Sequence, residues 1–160
     1  MPPLAHTRSL DLRMARISAA AFFAHGYVPG EAFRASLLSK AQASMASGAW
    51  ADDTERAFAP AETLRALVSW GHDVGEAEAC RLAEGLLREA EGAAEGVGGG
   101  VSKTPQEAWA RWRDISLPLV MCMEAALVAG WEGLLRRATV AALGAVSRSR
   151  NPQMDWHRWG

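Results

Sequence analysis

The chain has 160 residues, 49% of them hydrophobic and 22% charged, and its 17 basic and 18 acidic residues leave a formal net charge of -1. A chain of this length buries a core without disulfides, and the mixture of apolar and charged residues excludes a disordered protein. The scattered basic residues provide no concentrated positive field, which excludes nucleic acid as an expected partner.

Cys80 and Cys122 lie in separate apolar stretches, too few and too far apart for a secreted disulfide scaffold. A reducing compartment is expected, the cytoplasm or an organelle interior. The opening Met1-Pro2-Pro3-Leu4 lacks the basic end and apolar run of a secretory signal. Arg8, Arg13 and Arg16, opposed only by Asp11, resemble an organelle-targeting helix and keep a mitochondrial location open.

Strand signals are nearly absent, and alanine, leucine and arginine dominate, so the fold class is all-α. From Thr7, the positions Leu10, Met14, Ile17 and Ala21 follow one helical face, and Gly26 stands where a left-handed cap would end the helix. Pro29-Gly30 marks a turn. A second helix is read from Glu31 to about Ser47, with Phe33, Leu37, Leu38, Ala41 and Met45 as its stripe and Gly48 as its stop. Residues 50–59, with the acidic run Asp52-Asp53-Thr54-Glu55, read as a loop, and Pro60 opens a third helix through Leu64, Leu67 and Val68 to Gly71. The fourth runs from Gly75 to Glu91 with Ala79, Leu82, Leu86 and Leu87 inward, and Gly85 within it would admit a close neighbour.

Between Gly92 and Lys103 glycines cluster and the helical period disappears, the pattern of a flexible linker. Thr104-Pro105-Gln106-Glu107 then forms a capping box with proline at the first helical position. The expectation is an antiparallel bundle of about four helices over residues 1–91, the linker over 92–103, one long helix over 104–147 kinked by Pro118 near Ile115, and a tryptophan-bearing tail over 148–160.

No catalytic, cofactor-binding or metal-ligating set is read from the sequence. Gly98-Gly99-Gly100-Val101-Ser102-Lys103-Thr104 has a phosphate-loop look, but Ser102 occupies the place of the glycine before the lysine, a helix precedes the loop, and Pro105 starts the next helix after Lys103. His6, His25, His72 and His157 lack partners at ligand spacing, and the run at Asp52 lacks the alternating oxygens of a calcium loop. Both cysteines fall on apolar faces without an adjacent base, the pattern of inert packing.

Glu124 is the single charge between Ile115 and Trp131. It marks either the polar edge of a helix buried on several sides or an acid within a short membrane-contacting segment over residues 115–135. Seven tryptophans exceed what an average core of this size holds. Trp109 and Trp112 lie one turn apart, Trp131 follows, and Trp156 and Trp159 repeat the spacing beyond Asn151-Pro152. Trp109, Trp112 and Trp131 suit either the core or an interface, whereas Met154, Trp156 and Trp159 sit on a segment too short to bury them by itself.

The function these residues favour is a non-enzymatic accessory or assembly subunit, binding protein partners of a larger complex through the last helix and tail. A coat protein of a lipid or polymer-granule surface is the alternative, and a small helical enzyme without a recognisable motif is the third.

Overall fold

The computed structural model describes residues 5–48, 53–94 and 104–148, with side chains over 12–48, 55–92 and 104–145 apart from 108, 111 and 112. Six helices and no strand lie among the described residues: α1 Ala5–Ala24, α2 Glu31–Ser47, α3 Asp53–Ser69, α4 Glu76–Ala94, α5 Pro105–Ala129 and α6 Glu132–Arg148. The chain is all-α, and its helices pack as a bundle. The Gly-rich stretch beyond Ala94 lies outside the described residues.

The core is built around α3, which touches α1, α2, α4 and α5. Its residues Ala57, Ala59, Ala61, Thr63, Leu64 and Leu67 are all buried. Small side chains on several sides let the neighbouring helices come close, since the interaxial distance is set by what stands at the contact. The pair α1 and α2 packs on part of this surface, while α5 and α6 pack on α3 and α4 respectively and on each other.

Three expectations about helix faces and bounds are corrected by the packing. In α1 the inward face is Leu12, Ala15, Ala19, Phe22 and Phe23, whereas Met14 and Ile17 are 62% and 59% exposed. Both sets have helical spacing, and the one carrying the phenylalanines is chosen because Phe22 meets Phe33 of α2, which in turn packs on Trp70. Helix α3 begins at Asp53, not at Pro60, which lies within it. An interior proline costs about 3 kcal/mol through its missing donor and its clash with the preceding turn. Burial of Ala57 and Ala59 and an ion pair at Glu55 work against that cost by holding the extra turns in place.

The third correction concerns the C-terminal part. The long helix expected over 104–147 is divided into α5 and α6 at Gly130, whose φ of 77° and N–H bond to the Ala126 carbonyl end α5 in a left-handed cap. Trp131 follows directly and is buried, so the corner is pinned by its indole. Pro118 is accommodated inside α5. The start of α5 is as read from the sequence: Thr104 Oγ1 accepts from the Glu107 N–H at 3.2 Å, and Pro105 occupies the first turn.

Helices α2 and α4 match their stripes closely. Leu37, Ala41 and Ser44 are buried in α2, and Ala79, Leu82, Leu86 and Leu87 in α4. Gly85, however, is exposed and would meet nothing if it carried a Cβ, so it admits no close neighbour.

The choice of face on α1 has a direct test. Leu12→Ala is expected to lower unfolding free energy by about 2–5 kcal/mol, as for a fully buried leucine. Ile17→Ala should stay within about 0.5 kcal/mol of wild type apart from helix propensity. Urea titrations of the two variants giving the reverse order would show that α1 docks through the other face.

Candidate functional site

The residues expected to bind a partner fall into three groups. Trp109 is 58% exposed near the start of α5. Trp131 belongs to the core, the role the sequence left open for it beside docking. The backbone of Trp112 lies in α5, but its side chain is outside the described residues, as are Met154, Trp156 and Trp159.

Around Trp109 the outward face of α5 carries a stripe that the sequence reading did not isolate. Val120 is 51% exposed, and Leu127 and Val128 are each 69% exposed. At 100° per residue, Trp109, Arg113, Val120, Glu124 and Leu127 fall within an arc of about 60°, with Leu117 and Val128 at its margin. Glu124 is exposed in the middle of this stripe. It is therefore the polar edge of an outward face, not a buried acid, and no helix among the described residues is long and apolar enough to cross a membrane. Val140 and Leu143 project outward from α6. The inner side of the same hairpin is held by Leu119, Cys122, Ala126, Leu134 and Ala138, all in the core.

Two arginine clamps fix the helices behind this face. Arg137 of α6 donates from Nη1 to Glu84 Oε2 at 2.7 Å and from Nε to Glu91 Oε1 at 2.8 Å, both on α4. Hydrogen bonds from Arg137 and then Arg88 hold the Glu84 carboxyl down to about 2, against an ordinary 4.5, and the Arg137 guanidinium is shifted upward by the same bonds. Arg16 of α1 bonds Glu62 at 2.9 Å and Glu55 at 3.4 Å on α3, and Glu55 is only 3% exposed. Each pair of glutamates is seven residues apart, two helical turns, so each presents two carboxylates on one face. That spacing was visible in the sequence, but the arginine on another helix was not.

A third polar contact joins α4 to the start of α6. Glu76 Oε1 accepts from the Leu134 N–H at 3.1 Å, one of the first-turn donors that have no partner within their own helix. Gly133 leaves the room for it, because a Cβ there would stand 2.8 Å from the same oxygen.

Burial raises the Cys122 thiol to about 12, and burial followed by the nearby Glu76 raises Cys80, so neither is poised as a thiolate nucleophile. No group of three or more His, Cys, Asp and Glu side chains could hold a metal among the described residues. A cavity of ≈ 60 Å³ lies between α1, α2 and α3, lined by Arg16, Phe23, Leu37, Glu62, Thr63 and Arg65. Its walls include Thr63 Oγ1 and Arg65 Nε, both buried without a protein hydrogen-bond partner.

No protein-family model, curated protein or solved structure matches the chain.

The Arg137 clamp gives a pH test. A carboxyl held below its unfolded value contributes stability above about 4.5, and that contribution is lost as pH falls toward about 2. With both side chains more than a third exposed, solvent screening limits the effect to about 1 kcal/mol or less. Wild type should exceed Arg137→Met in denaturant midpoint at neutral pH, with the gap closing across that window. A gap constant with pH would assign the effect to packing of the arginine stem alone.

Proposed function

We propose that this chain is a non-enzymatic accessory or assembly subunit that docks on protein partners through the outward face of the α5–α6 hairpin and the tail over 148–160. The observation that carries the reading is the exposure of Trp109, Val120, Leu127, Val128, Val140 and Leu143 on one hairpin. Isolated apolar residues on a surface need no explanation, whereas four along the outward side of α5, with two more exposed on α6, support an interaction site. Tryptophan at one end of the stripe is the residue type most enriched among binding hot spots.

Coating of a lipid or polymer surface would use the same stripe. Glu124 in its centre favours a protein, which can offer a cation to the carboxylate, over acyl chains, which would desolvate it unpaired. The tail adds Trp156 and Trp159, with Arg148, Arg150 and Arg158 around them, as a second element of the same surface chemistry.

The test is recovery of partners from the source cells by tagged purification and mass spectrometry. Leu127→Glu with Val128→Glu should reduce co-eluting proteins severalfold while leaving helical content and thermal midpoint close to wild type, as surface changes do. Deleting 152–160 should act in the same direction. Undiminished recovery with both changes present would remove the reading.

A further inference from the structure

We propose that the outward face of α5 is covered by a second copy of this chain, paired antiparallel about a twofold axis near residues 118 and 119. The inference rests on the reading of that face as an interaction surface and names what occupies it.

The argument is one of charge placement within an apolar stripe. Arg113 and Glu124 are both exposed and are separated by three helical turns, so they share a side of α5 to within about 20°. A twofold interface is isologous, in that whatever residue i touches on the partner must touch i in return. Antiparallel pairing centred midway between the two charges sets Arg113 of each copy against Glu124 of the other. The same operation sets Trp109 against Val128, Leu117 against Val120, and Leu127 against Ala110, so that every large apolar residue of the stripe meets an apolar one.

Parallel pairing fails on the same residues, because it places Arg113 beside Arg113 and Glu124 beside Glu124. A shift of one turn in the antiparallel register separates the opposite charges and leaves Glu124 against Trp109 or Leu117. In the single chain Arg113 Nε donates to the neighbouring Asp114 at 2.9 Å on the surface. A guanidinium has five donors, so that bond does not prevent a second carboxylate from binding. The overlap from Trp109 to Val128 is about 30 Å of helix, which places the interface at the small end of stable dimers and predicts reversible association. Val140, Leu143 and the tail then remain for other partners.

The full chain carrying Cys80→Ala is the background for a crosslinking test, Cys122 being buried. Arg113→Cys with Glu124→Cys in one chain should yield a covalent dimer in a glutathione redox buffer. Neither single cysteine should do so, because each faces the other position across the axis. In sedimentation velocity, Arg113→Glu or Glu124→Arg alone should weaken self-association about tenfold, and the double exchange should restore it to within about threefold. Dimers from a single cysteine as readily as from the pair would overturn the antiparallel arrangement. A wild-type chain that stays monomeric at submillimolar concentration overturns the inference while leaving the docking reading to stand on partner recovery. The docking reading itself falls on the separate outcome of undiminished partner recovery when Leu127→Glu with Val128→Glu and the deletion of 152–160 are both present.

Discussion

The whole arrangement depends on α3 being able to bury most of its circumference. A helix surrounded by neighbours must be apolar nearly all round, yet it must also be slender enough for them to reach one another. Ala57, Ala59, Ala61 and Ala66 meet the second need, and Leu64, Leu67 and Trp70 fill the spaces they leave. The α1–α2 pair on one part of this surface and the α5–α6 hairpin on another are thereby referred to a common axis. An outward stripe on α5 is rigidly presented because its inward side is fixed to that axis.

Charge then completes what apolar packing leaves loose. Helices packed through alanine and leucine alone can slide by a turn at modest cost, since the surfaces are similar at each turn. An arginine straddling two carboxylates two turns apart admits one register. Arg16 sets α1 on α3, and Arg137 sets α6 on α4. The two clamps differ in depth. Glu55 is buried, so its bond to Arg16 lies largely out of water, whereas the partners of Arg137 are partly exposed and act chiefly on alignment.

Legibility in the sequence followed the strength of local signals. Helix α2 was readable to both ends, because Glu31, Gly48 and a single apolar stripe agree. The cap at Thr104 was readable because its chemistry is local. The inward face of α1 was not, since Met14 with Ile17 and Leu12 with Phe22 are equally periodic, and only the aromatic cluster with Phe33 and Trp70 selects between them. Pro60 suggested a helix start because proline prefers that place, and tertiary burial of the preceding turn overrode the preference. Gly130 is hard to read as a stop because one glycine inside a long apolar period is weak evidence until the burial of the next residue, Trp131, is known. For the candidate site, Trp109 was singled out from its residue type alone. The stripe of Val120, Leu127 and Val128 was hidden among core residues of the same kind, since periodicity does not say which of two apolar faces a partner helix will take.

The contact between Glu76 and the start of α6 has a consequence for how sequences sharing this fold can vary. The carboxylate needs both a donor at Leu134 and the space that a missing side chain at 133 provides. A larger residue at 133 would push the acid away and leave the Leu134 amide to find water, while a short or apolar residue at 76 would remove the reason for glycine. Positions 76 and 133, far apart in the chain, are thus coupled through one carboxylate, so that a change at either alters what the other can usefully be.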